Sequence, residues 1–158
     1  MAQKENNIIP MIFDEAFYRK MATQKWRQQD YKKAAEYYEK VLELSPKDFD
    51  IQQHYAQCLV KLNIGKKAER LFYENIVKDF HVAESFYELS QLNIELNEPN
   101  KAFLFGINYV ILSDDKDFRE MLEKTFEVTY TSEQKIELEA QLFSTQLLFQ
   151  FLFSQGRL

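Results

Sequence analysis

Turn-forming residues are scarce in this chain. Three glycines (Gly65, Gly106, Gly156) and three prolines (Pro10, Pro46, Pro99) serve all 158 residues. A β-rich chain needs turn residues at shorter intervals, so the scarcity points to helices joined by tight turns. Cysteine occurs once, at Cys58, which excludes an intrachain disulfide and fits a reducing compartment. Long apolar runs are absent too. The longest cluster, Leu147 to Phe153, is seven residues broken by Gln150, against the roughly 20 a membrane span needs. The polar stretch from Met1 to Asn7 lacks the apolar core of a signal peptide. Positive charge is not in excess: 20 Lys and Arg stand against 25 Asp and Glu, a net of −5. That disfavours nucleic acid, which calls for a basic stripe, and anionic lipid. These absences predict a soluble, cytoplasmic protein with no nucleic-acid or membrane partner.

Apolar residues are plentiful at 46%, enough for a packed core. They also recur. Shifting the chain on itself by 34 residues brings Ala34, Ala68 and Ala102 into one column, and the small residues Ala22, Ala56 and Ser90 into another. Met21, Tyr55 and Leu89 form a third column, and Leu42, Ile76 and Val110 a fourth. Two helices of about 14 residues with a short turn between them place the two small columns opposite each other, so the backbones can approach closely. Each helix pair then leaves apolar faces that only stacking on a neighbouring pair can bury. Turn signals fall where this demands, at Gln28-Gln29-Asp30, Asn63-Ile64-Gly65 and Asn97-Glu98-Pro99. Ser45-Pro46 ends a second helix. Asp14 suits an N-cap, with Phe13 and Tyr18 spaced as a hydrophobic staple.

The run Asp30-Tyr31 followed by Ala34-Ala35-Glu36-Tyr37-Tyr38-Glu39-Lys40-Val41-Leu42-Glu43-Leu44-Ser45-Pro46 resembles the second helix of a tetratricopeptide repeat. Ala56, Gly65, Ala68 and Phe72 extend the likeness to a second copy, and Phe86, Leu89, Ser90 and Ala102 to a third. Five positions depart from the family pattern. Gly106 stands where an aromatic is usual, Asn75 and Tyr109 where a small residue is usual, and Phe80 and Asp114 follow where the first copy has Pro46. The resemblance implies an all-α fold, a right-handed α-solenoid of antiparallel helix pairs with about eight helices. It divides the chain into a tail at 1–13, three helix pairs at 14–116 and degenerate helices at 117–158, possible beginnings of a further repeat.

No constellation of residues points to catalysis. His54 and Cys58, four apart, share a helix face, but no second cysteine completes a metal set and the one other histidine is His81. Glu36, Glu39 and Glu43 alternate with Lys32, Lys33 and Lys40 as a solvated helix face does. There is no phosphate-cradling glycine loop and no nucleophile elbow. The sequence therefore predicts no enzyme, no metal and no cofactor.

What the resemblance implies instead is a scaffold for a protein or peptide partner, held along a groove lined by the first helix of each pair. The residues placed there are Arg19, Thr23 and Trp26, with Arg27, from the first pair. Gln53 and Gln57, with Lys61, come from the second, and Tyr87 and Gln91, with Glu84 and Glu95, from the third. Some family members clamp acidic tails with cations. The matching places here carry Arg19, Thr23, His54, Glu84 and Glu88, and the two carboxylates would repel such a tail. Towards the C-terminus, Thr131-Ser132-Glu133-Gln134 reads as a capping box opening a helix to about Ser154. Phe149, Leu152 and Phe153 lie on a helix that is apolar nearly all round. That predicts either a longer array, of which this is an N-terminal structural or regulatory part, or a homodimer through that helix.

Overall fold

The computed structural model describes residues 13–126 together with Ala140, Ser144 and Gln155. Among the described residues there are seven α-helices and no strand. They are α1 (Glu15–Arg27), α2 (Tyr31–Leu44), α3 (Phe49–Lys61), α4 (Gly65–Val77), α5 (Val82–Glu95), α6 (Pro99–Ser113) and α7 (Lys116–Phe126). The fold is the expected all-helical solenoid, with the helix count close to the eight anticipated. Phe149, Leu152, Phe153 and the helix expected after Thr131 lie outside the described residues.

Each helix pair turns back through one residue in the left-handed region. Gln29, Asn63 and Asn97 have φ of 59°, 59° and 56° and are spaced by 34 residues. Their turns close with one hydrogen-bond pattern. The Asp30 N–H donates to Lys25 C=O (3.0 Å), Ile64 to Leu59 (2.8 Å) and Glu98 to Asn93 (2.9 Å). The left-handed residue itself donates three residues back, to Trp26, Val60 and Ile94. The helix ends thus satisfy their own orphan carbonyls within two residues, and the chain reverses at once. Starts are fixed as firmly. Asp14, Asp30, Asp48 and Asp115 accept from the amides of Phe17, Lys33, Ile51 and Phe118. Phe13 stacks on Tyr18 with ring centres 6.5 Å apart, the expected staple.

With such short turns the two small columns meet. Ala22, Ala56, Ser90, Ala34, Ala68 and Ala102 are all fully buried. In the third pair Ser90 Oγ donates to Ala102 C=O at 2.8 Å across the crossing. Successive pairs stack α2 on α3 and α4 on α5, and α3 also touches α5, so first helices adjoin. One core runs through all three pairs, from Ala22 to Phe105, and a second forms where Phe118 and Leu122 of α7 meet Ile107 and Val110 of α6.

The departures from the repeat pattern each have a physical cause. A Cβ on Gly106 would lie 2.6 Å from Leu122 Cδ1 and 3.0 Å from Ser90 Oγ. The buried Leu122 side chain of α7 occupies the space there, and a side chain on Gly106 would displace it. Asn75 is fully buried within an amide cluster: Gln52 Nε2 donates to Asn75 Oδ1 (2.9 Å) and Asn75 Nδ2 to Gln53 Oε1 (2.7 Å). Phe80, where the first pair has Pro46, stacks on Phe49 with ring centres 4.6 Å apart. Asp114, in the equivalent place after α6, is left-handed (φ 53°) and ends that helix.

Two substitutions test this geometry. Ala68→Leu forces methylenes into a closed crossing and should destabilise the chain by about 1–3 kcal/mol in denaturant melts. Gln29→Gly relieves an unbranched but Cβ-bearing residue of left-handed strain and should stabilise it by about 1 kcal/mol. Equal melts for both variants and the parent would contradict the paired-helix turn.

Candidate functional site

The first helices converge on a cleft of about 250 Å³ lined by Trp26 of α1, Gln57, Val60 and Lys61 of α3, and Tyr87, Glu88, Gln91 and Glu95 of α5. The helical period brings these residues to one face: Tyr87, Gln91 and Glu95 are each four apart, as are Gln57 and Lys61. Trp26 is partly buried on the main core and meets Tyr31 edge to face at 5.2 Å, which fixes one wall. Tyr87, 37% exposed, is held from behind. Its ring lies 5.2 Å from Tyr109 and 5.3 Å from Phe118, and Tyr109 donates its hydroxyl to Asp115 at 2.9 Å. The usual small residue at position 109 is thus exchanged for an aromatic prop behind the cleft.

Glu88 is the unusual group. Gln57 Nε2 donates to its Oε1 at 2.9 Å, tying α3 to α5. Burial pushes its carboxyl above the ordinary range, with Glu95 adding to the rise, against the pull of the Gln57 hydrogen bond and of Lys61. Neither Lys61 nor Glu95 forms an ion pair within 4.0 Å among the described residues. The cleft therefore presents an amide-held carboxylate, two aromatic rings and an unpaired charge of each sign.

Of the residues placed by sequence on the groove, Trp26, Gln57, Tyr87 and Gln91 meet in this cleft. Arg19 and Thr23 line a separate depression along α1, with Lys20 and Gln24. Arg19 is already engaged: its Nε donates to Glu15 Oε1 at 2.7 Å and its Nη2 to Asp48, while Ser45 Oγ donates to Glu15 Oε2 at 2.6 Å. This network fastens α1 to the cap of α3. Thr23 Oγ1 returns to Arg19 C=O. Gln53 is 4% exposed and accepts from Asn75 and from Ser85 (3.1 Å), so it ties the second pair to the third inside the molecule instead of facing the groove. The helical period alone cannot separate Gln53 from Gln57, because a buried partner such as Asn75 is invisible in it. Glu88 and Val60 join the wall. Glu88 lies four residues after Glu84 and three before Gln91, a spacing that already pointed to this face.

His54 and Cys58 do not form a reactive pair. Cys58 is fully buried, and burial pushes its thiol up to about 12, so no thiolate is available near neutral pH. His54 stacks on Tyr38 at 5.8 Å. Among the described residues no group of three or more acidic, His or Cys side chains could hold a metal, and no helix is long and apolar enough to cross a membrane.

A carboxyl whose folded-state titration is raised favours protonation on folding. Its charge weakens the fold at neutral pH, and that cost shrinks as pH falls below the raised value and is gone below the ordinary glutamate value. Glu88→Gln should therefore stabilise the chain by up to about 1 kcal/mol at pH 7. The gain should disappear in melts at about pH 4, where a Glu side chain is largely protonated. A variant less stable at both values would contradict the strain assigned to Glu88.

Residues 25–72 match the family model described as tetratricopeptide repeat. The matched stretch runs from the last turn of α1 to the middle of α4 and takes in all of α2 and α3. No curated protein and no solved structure matches the chain significantly. The match takes in the left-handed turns at Gln29 and Asn63 and the stack of α2 on α3, and the left-handed turn recurs after it at Asn97, the small-residue crossing at Ser90 and Ala102, and the stacking between α4 and α5. Over residues 25–72 the chain is similar to the tetratricopeptide repeat family.

Proposed function

We propose that the chain is a non-catalytic scaffold that holds an extended segment of a partner protein in the cleft between α1, α3 and α5. The observation that carries this reading is the convergence of Trp26, Gln57, Tyr87 and Gln91 from three helices on one open wall. Repeats of this family generally mediate protein–protein interaction. The wall has what an extended peptide requires, side-chain amides for its backbone and aromatic faces for its side chains. A reducing, cytoplasmic setting suits the single cysteine, Cys58.

Selection from a random peptide display library tests the reading. Peptides enriched on the full chain should lose at least about tenfold in affinity, roughly 1.4 kcal/mol, for the triple variant Gln57→Ala, Tyr87→Ala, Gln91→Ala, whose helicity is checked by circular dichroism. Enriched peptides that bind parent and variant equally would place recognition elsewhere.

A further inference from the structure

We propose that the partner segment inserts a basic side chain, arginine by preference, into the cleft, between Glu88 and Glu95 and against the ring of Tyr87. The inference rests on the cleft being the peptide site and deepens it to a ligand chemistry. Three features of the wall lead to it.

The first is the state of Glu88. One carboxylate oxygen accepts from Gln57, and among the described residues the other accepts no hydrogen bond. Lys61 faces it from α3 without coming into ion-pair range, and Glu95 faces it from its own helix. A half-buried carboxylate lacking a close cation is costly, and a guest cation would supply the missing partner. The second feature is the balance of charge. The lining carries one cation, Lys61, and two carboxylates, Glu88 and Glu95, so it is net negative by one. An acidic guest would be repelled and a neutral one would bury Glu88 further without compensation. Lys61 is exposed and can turn to solvent when the cleft fills. The third feature is the aromatic lining. A guanidinium is planar, weakly hydrated and able to stack on a ring while its edge donates to a carboxylate. Tyr87 offers the ring and Glu88, the next residue, the carboxylate. A lysine ammonium would satisfy the charge but not the stacking.

The probes are three pools of a random peptide library, with one central position fixed as arginine, norleucine or glutamate. Binding to the full chain is read through Trp26, its only tryptophan. The arginine pool should bind about tenfold more tightly than the norleucine pool, with the glutamate pool weakest. In Glu88→Gln, which should fold at least as stably as the parent, the arginine preference should fall below about threefold. In Glu36→Gln, an equal change of charge on the exposed face of α2, it should persist. A preference lost equally in both variants would mean a general charge effect and overturn the proposal. So would pools that bind alike yet depend on Gln57 and Gln91, which would leave the peptide groove standing without its basic specificity. Binding indifferent to Gln57, Tyr87 and Gln91 as well would remove the groove reading and this inference together.

Discussion

Everything in this molecule depends on how tightly each helix pair turns back. Reversal through a single left-handed residue leaves no slack between helices, so the backbones must cross closely, and only alanine or serine fits at the crossing. The three turns at Gln29, Asn63 and Asn97 and the six small residues between them are one constraint repeated at the same interval. None of the three turn residues is glycine, the residue this conformation favours. Strain is tolerated at each turn because the flanking helices over-determine it. The reward is a regular stack in which α1, α3 and α5 bring one face together.

The stack is set in register by polar as well as apolar contacts. Gln52, Gln53, Asn75 and Ser85 form a buried hydrogen-bonded cluster joining α3, α4 and α5. Around α2, α3 and α4 a second link runs from Glu39 through the Tyr55 hydroxyl to Lys67, whose ammonium lies over the Tyr55 ring. Buried amides are directional, and a slipped helix would leave them unpaired at a cost of about 1–3 kcal/mol each. They hold the second pair to the third at the place where the cleft opens. Glu88 belongs to the same logic from the other side. Its Gln57 hydrogen bond bridges first helices at the surface, but its carboxyl is left with less solvation than it needs. Structural duty alone would be met better by glutamine.

Much of the fold was legible in the sequence because its constraint is periodic. The 34-residue columns identified the crossings, and the polar triplets around Gln29, Asn63 and Asn97 identified the turns, although nothing in those triplets announces which residue goes left-handed. Asp14 and its staple followed from local chemistry. The cleft was only partly legible. Trp26, Gln57, Tyr87 and Gln91 follow from the resemblance, which implies a groove lined by the first helices, whereas Gln53 was misplaced because its partners Asn75 and Ser85 are 22 and 32 residues away. Arg19 likewise reads as a free cation until Asp48 is seen beside it. Gly106 shows the same limit: its lack of a side chain is intelligible only once Leu122, from the next helix, is in place.

Amide hydrogen exchange on the full chain tests the central constraint most directly. The amides of Asp30, Ile64 and Glu98 close the three turns by reaching back five residues. If the turns are as tight and as over-determined as described, these amides exchange as slowly as the helical amides beside them, because they open only when the helix pair does. Exchange at the rate of free loops at all three positions, with the helices still protected, would contradict it.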